Sequence, residues 1–175
     1  MVRPAEIELT ALADLLNSAK RVTLFCGRGC AGSHPSLMKL AEILKSPIVH
    51  ALGGKDHVEY DNPYDVGMTG FIGFSSGYAA MHACDVLLML GTDFPYKQFL
   101  PDEARIAQVD IRPENLGRRC KLCQNPNPPP AARNQHALNR KAGTGPLLAA
   151  SSLGAVHRPV QAAEDPAWLH APDPP

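Results

Sequence analysis

Glycine clusters broken by single polar side chains are the parts of this chain best suited to chemistry. The stretch VTLFCGRGCAG, residues 22 to 32, ends an apolar run in Gly27-Arg28-Gly29-Cys30-Ala31-Gly32, a GxGxxG pattern. Glycines permit a tight turn and close approach of backbone to a ligand, and amides at the start of a following helix favour a phosphate. Arg28 adds a charge-assisted bond to such an anion. A glycine turn that only reverses the chain explains the pattern equally well. A nicotinamide site would also place an acid at the end of the next strand. That segment reads Ile48-Val49-His50-Ala51-Leu52, and the acid is missing.

Two further stretches have the same character. Gly67-Met68-Thr69-Gly70-Phe71-Ile72-Gly73 lies in a segment too long for simple connection. Its glycines let amides reach a ligand, and Thr69 offers a hydroxyl. The embedded Met, Phe and Ile argue against a mere mobile loop. Leu90-Gly91-Thr92-Asp93-Phe94-Pro95 closes another apolar run. Asp110 ends a third, where a carboxylate can accept from sugar hydroxyls. Taken alone, Asp110 is better explained as a turn or cap. Three glycine loops on one sheet edge, with Asp110 beside them, favour a dinucleotide.

Cysteines and histidines give weaker signals. Cys26 and Cys30 have no second pair at metal-ligand spacing. Cys120-Lys121-Leu122-Cys123 is followed by His136, but the next histidine is His157 rather than one near residues 140–142. Four ligands are needed for a structural zinc, so none is expected. A zinc or redox module on Cys120 and Cys123 is the third-ranked reading. Cys26 and Cys84 sit in apolar company and read as core. His50 and His57 lack an evident carboxylate or cysteine partner and read as loop residues that hydrogen-bond.

The elements that must position these loops alternate. Residues 6–18 carry an apolar stripe at Ile7, Leu9, Leu12, Leu15 and Leu16, which predicts a helix. Residues 21–26 predict a strand covered on both faces. Ser33 is placed to cap the next helix, with Pro35 in its first turn, Leu37, Met38, Leu40, Ala41 and Leu44 on its buried side, and Pro47 as its stop. Residues 48–52, 85–90 and 106–111 predict three more strands, and 75–83 a short helix. Residues 53–73 read as a long polar loop. Four strands alternating with three helices imply an open parallel α/β sheet with helices on both faces, Rossmann-like. Ligands of such sheets sit beyond the carboxyl ends of the strands.

Lys+Arg and Asp+Glu both total 17, so bulk charge recommends neither nucleic acid nor an anionic membrane. No run is long and apolar enough to span a bilayer, and the N-terminus lacks a secretory pattern. A cytoplasmic location with reduced thiols is expected. Beyond Gly117 the composition changes, and ten of the 17 prolines lie there. Residues 120–175 therefore read as a Pro-rich tail, either disordered or out of frame. Continuation of the α/β pattern in the alternative DNA frame would support the second option, and its absence would remove it.

VTLFCGRGCAG, SPIVHALGGKDHVEYDNPYDVGMTGFIGFSSG, DVLLMLGTDFPY and AQVDIRP together resemble the central domain of thiamine-diphosphate-dependent enzymes. The resemblance covers residues 3–119 and is nearest the flavin-dependent pyruvate oxidase and pyruvate:quinone dehydrogenase branch. Acetolactate synthase is a more distant relative. The resemblance implies an FAD-binding domain, incomplete here. It implies backbone contacts from Gly27, Arg28 and Gly29, and a flavin-side clamp from Gly67, Met68, Thr69 and Gly70. Leu90, Gly91, Thr92, Asp93 and Phe94 add contacts, and Asp110 and Ile111 face the ribose or adenine end.

The resemblance also implies a larger parent. Its partners are a pyrimidine-binding and a diphosphate-binding domain, which hold thiamine diphosphate and magnesium. The parent is expected to be a homotetrameric oxidoreductase that decarboxylates pyruvate oxidatively and meets the membrane peripherally through quinone. This sequence contains neither the activating-glutamate domain nor a Gly-Asp-Gly metal motif, so the fragment is expected to be inactive alone. A non-catalytic nucleotide-binding or oligomer-interface module of the same fold is the alternative. A core of four strands with one uncovered edge predicts marginal stability or aggregation. A sharp thermal transition in a monodisperse sample would contradict that expectation.

Overall fold

The computed structural model describes residues 5–123 and the backbone of residues 137–138. Helix α1 (Glu6–Ser18) starts where the Glu8 carboxylate accepts the Ala5 N–H at 2.9 Å. It buries Leu12, Ala13 and Leu16. Strand β1 (Val22–Cys26) is buried at all five positions, as its apolar sequence requires. Helix α2 (His34–Leu44) has Ser33 at its N-cap without a side-chain capping bond, and Pro35 in its first turn. It ends at Leu44, three residues before Pro47, and the next residue, Lys45, turns left-handed at φ 51°.

Strand β2 (Ile48–His50) is followed by a 3-10 turn at Leu52–Gly54 and by α3 (Lys55–Val58). Strand β3 (Asp65–Met68), α4 (Ser75–His82), β4 (Val86–Leu90) and β5 (Arg105–Val109) complete the main body. A two-residue strand, β6 (Ala137–Leu138), pairs with β5. All pairings are parallel, in the order β3-β2-β1-β4-β5-β6. Beyond β1 the chain first builds outward to β2 and β3, then returns to lay β4 on the other side. The switch point therefore lies between β1 and β4.

Alternation along the strands divides the core. Val22, Leu24 and Cys26 face α1 and α2, whereas Phe25, Leu87 and Met89 face α4. Thr23 is the polar exception in β1, and its hydroxyl donates to the Ala80 carbonyl of α4 at 2.8 Å. The expected open parallel sheet with helices on both faces is thus present.

Three expectations need correction. The segment 53–73 is not all loop, because it folds α3 and β3. Asp-Val-Gly-Met offers no apolar run, and β3 forms because β2 supplies a parallel edge to pair with. The β5 edge also carries β6, where an uncovered edge was expected. Residues 120–123, read as the start of the tail, instead pack on the sheet, with Leu122 buried, and the remainder of the predicted tail lies outside the described residues.

At the amino ends of the strands, one residue joins the seam. The Asp85 carboxylate accepts the N–H groups of Lys20 at 2.9 Å and Arg21 at 2.8 Å. Its backbone N–H donates to the Arg21 carbonyl at 3.0 Å, and its carbonyl accepts the Arg105 N–H at 3.0 Å. Partial burial pushes the carboxyl up, but the Lys20 and Arg21 amides and the Arg105 charge outweigh it, holding Asp85 below its ordinary value of 3.8. A lowered carboxylate stabilises the fold at neutral pH, and that stability is lost as pH falls through the lowered value. Asp85→Ala is expected to cost about 1–2 kcal/mol in urea unfolding at neutral pH, with the difference from wild type vanishing in acid.

Candidate functional site

The carboxyl ends of the parallel strands gather four segments on one rim: residues 27–33 after β1, 69–74 after β3, 91–96 after β4 and 110–113 after β5. At the switch point the first and third meet backbone to backbone. The Gly27 N–H donates to the Leu90 carbonyl and the Gly29 N–H to the Gly91 carbonyl, both at 2.9 Å. A Cβ on Gly27 would stand 2.6 Å from the Gly91 oxygen, and one on Gly29 2.6 Å from the Gly91 Cα. Gly91 itself has φ 56°, and its Cβ would meet the Gly29 Cα at 2.6 Å. These glycines allow two loops to touch. Two of the amides expected to bind a ligand are already used, so what remains for one is a wall without side chains.

Arg28 is exposed beside that wall, and its side chain lies against Gly53, whose Cβ would come within 3.5 Å of the Arg28 Nε. The guanidinium is the exposed cation of the β1 loop. On the neighbouring side, Gly67 and Met68 belong to β3 rather than to a loop. Thr69 is 3 % exposed, its N–H donates to the His50 carbonyl at 3.2 Å, and its hydroxyl finds no partner among the described residues. An orphaned buried hydroxyl calls for an explanation, and a bound ligand or water supplies one. Gly70 at φ 113° lies against Phe94, whose Cζ would be 3.4 Å from a Cβ there.

Gly73 and Gly77 close the segment onto β3. Added Cβ atoms would sit 2.6 Å and 2.7 Å from the Met68 carbonyl oxygen. The segment they fold presents an apolar crest: Phe71, Ile72 and Phe74 are all more than three-fifths exposed. Phe71 meets Tyr96 edge-on at 4.8 Å between ring centroids, and Tyr96 meets Phe94 at 5.3 Å. Phe94 is buried against Phe25 at 5.1 Å. A continuous aromatic surface thus runs from the core to solvent.

The acidic candidates are occupied. Asp93 accepts from both Arg118 and Arg119, the latter at 3.2 Å to Nε. Asp110 is 6 % exposed, and its oxygens accept the Arg112 N–H at 2.8 Å and the Asn115 amide at 3.1 Å. That is the turn role an isolated Asp suggested. Ile111 points outward. Leu90 is fully buried, so its carbonyl, donated to by Gly27 and by the Cys30 thiol, is its contribution to the rim.

Sequence reasoning missed Gln108 and misjudged His50. Gln108 is buried in β5, and its amide donates to the Thr92 carbonyl at 3.0 Å while its oxygen accepts the Gly117 N–H at 3.0 Å. A lone Gln between Ala107 and Val109 in an apolar strand was the available signal. His50 lies in β2, within the strand predicted at 48–52 and not in a hydrogen-bonding loop, and faces two carboxylates, Asp65 at 3.5 Å and Glu59 at 3.6 Å. Asp65 became a neighbour because β3 forms, and Glu59 because α3 ends beside β2. The two cysteines of the CxxC separate: Cys120 packs on the α4 side of the sheet and Cys123 on the α1–α2 side. They cannot chelate one ion in that arrangement. Cys26 and Cys84 are buried in the core, as expected. Among the described residues no helix is long and apolar enough to cross a membrane.

The family model for the thiamine pyrophosphate enzyme central domain matches residues 9–125, and the chain belongs to that family. It is 71% identical over 122 residues to an uncharacterized 42.6 kDa protein in the isoamylase 3' region of Pseudomonas amyloderamosa, covering 70% of this chain and 31% of that protein. It is 31% identical over 126 residues to the acetolactate synthase large subunit of Parasynechococcus marenigrum (strain WH8102), covering 67% of this chain and 20% of the relative. The fold is similar to that of benzoylformate decarboxylase from Polynucleobacter necessarius, with a TM-score of 0.57 and 20% identity over 67% of this chain and 24% of that one. The chain thus spans less than a third of the length of these relatives.

Two substitutions test the rim. Gly91→Ala meets both a left-handed φ and the Gly29 backbone, and is expected to lower unfolding free energy by about 1–3 kcal/mol. Gln108→Leu leaves the Thr92 carbonyl and Gly117 N–H unpaired, and is expected to cost about 1–3 kcal/mol in the same urea titration.

Proposed function

We propose that this domain seats FAD for a thiamine-diphosphate-dependent oxidoreductase of the pyruvate oxidase or pyruvate:quinone dehydrogenase kind. The observation that carries this reading is the rim itself. A glycine wall, an exposed arginine, an orphaned hydroxyl and an aromatic surface lie on adjacent loops at the carboxyl ends of one parallel sheet. Each matches a part of a flavin dinucleotide. Arg28 would pair with the diphosphate, and Gly27, Gly29 and Gly91 would admit it without steric conflict. The Thr69 hydroxyl would donate to a polar edge of the isoalloxazine. Phe71 and Tyr96 provide apolar surface for its ring system.

The fit is weaker at the adenosine end. Both Asp110 oxygens already accept hydrogen bonds, so a ribose there would share an occupied carboxylate. When bound, the flavin supplies two-electron redox chemistry, and the chain's own work is to bind it, orient it and exclude water. Thiamine diphosphate, magnesium and the decarboxylation belong to domains like those of the longer relatives, as do the proposed tetramer and the contact with quinone. The second reading, an interface module of the same fold, is favoured by the exposed crest at Phe71, Ile72 and Phe74.

Incubation of the full chain with FAD, followed by gel filtration and an absorbance spectrum, separates the two. A retained flavin spectrum is expected, weakened at least about tenfold in affinity by Arg28→Ala, since a charge-assisted bond is worth about 1.5–3 kcal/mol. A colourless protein that takes up no FAD assigns the interface role instead.

A further inference from the structure

The buried imidazole of His50 sits in a set of neighbours that no neutral ring satisfies. His50 is 1 % exposed in β2. Its Nδ1 faces the Ala51 carbonyl oxygen at 3.4 Å. Its Nε2 faces Asp65 Oδ1 at 3.5 Å and Glu59 Oε2 at 3.6 Å. All three are acceptors. A neutral imidazole has one N–H and one lone pair, so in either tautomer a lone pair meets an oxygen lone pair. Among the described residues neither His50 Nε2 nor Asp65 Oδ1 has a hydrogen-bond partner, so each is the other's nearest polar complement.

We propose that His50 and Asp65 together retain one proton, on Nε2 or on Oδ1, and that this proton latches β3 to β2 next to the Thr69–Gly70 segment. The proposal stands apart from the flavin reading, because it concerns only how the rim is held. Other charged or titratable groups around the pair do not replace the proton. Glu59 lies on the open side and is paired with Lys55 of α3, whose hydrogen bond lowers its carboxyl. Cys26 of β1 stays a neutral thiol, held so first by its hydrogen bond with Cys30 and then by burial. Asp65 is pushed above its ordinary value by burial, against the opposing pull of His50 and of the Gly67 amide.

The latch reaches the rim through backbone. His50 pairs with Met68 across the β2–β3 ladder, and its carbonyl accepts the Thr69 N–H. The Met68 carbonyl in turn accepts the Phe74 N–H at 2.8 Å. A carboxyl raised in the folded state contributes stability that is complete below its ordinary value and is lost as pH rises through the raised one. Loss of the retained proton to solvent leaves a carboxylate facing a bare nitrogen, which loosens β3.

Thermal unfolding of the full chain from about pH 5 to about pH 9 tests this, since stability held by a raised carboxyl falls as pH rises. The wild-type midpoint is expected to fall by ~3 °C or more. In Asp65→Asn the amide donates to Nε2 at every pH, so most of that fall should disappear, whereas Glu59→Gln should retain it. Parallel profiles for wild type and Asp65→Asn would overturn the proposal. If Asp65→Asn does not fold, nitrogen NMR of the wild-type histidine rings decides, with His50→Gln assigning the signal. A proton-linked Nε2 resonance at neutral pH supports the latch, and an unprotonated, unbonded Nε2 throughout overturns it.

Discussion

Contact between two glycine backbones, at Gly29 and Gly91, is the constraint on which the rim depends. β1 and β4 are neighbours at the switch point, so the loops leaving them must share one narrow space. Any side chain at Gly27, Gly29 or Gly91 would occupy it. Removing the side chains lets Leu90 and Gly91 accept the Gly27 and Gly29 amides, which fixes both loops relative to the sheet. The glycine pattern therefore serves the architecture first, and ligand access follows from it. This inverts the usual emphasis on glycine-rich turns as donors of free amides.

Polar side chains then brace what the glycines bring together. Gln108 bridges the loops after β4 and β5 from inside the sheet, Asp93 gathers Arg118 and Arg119, and Asp110 holds its own turn. Each is a candidate ligand group by type, and each is spent internally. What is left unspent is small: the Arg28 guanidinium, the Thr69 hydroxyl and aromatic surface. A site of that composition recognises shape and a single negative region more than a pattern of hydrogen bonds, which suits a cofactor held for its ring and diphosphate.

The legible part of the fold was the part written in apolar runs. β1, β2, β4 and β5 were readable because central parallel strands are buried on both faces, and α1 and α2 because their stripes are regular. β3 was not, since Asp65, Val66, Gly67 and Met68 show neither alternation nor a run. Its existence depends on pairing with β2, a contact distant in sequence. The same reason hid the His50–Asp65 pair. The positions of the site loops followed directly from the strand ends, but the commitments of Asp93 and Gln108 did not. Those depend on where residues 117–119 return, and local pattern says nothing about that.

At the opposite end of the seam, Asp85 ties the start of β1 to the starts of β4 and β5 through four backbone links. The β1–β4 pairing is therefore pinned at both extremities, by a carboxylate below and by touching glycines above. A strand held at one end can slide by a residue, which would turn Leu24 and Phe25 to the wrong helices. A strand held at both cannot, so the alignment of this central pair is decided by geometry before any side chain in the interior is chosen. The core residues of β1 and β4 must still fill the space between two helix layers, but the register in which they do so does not rest on them alone.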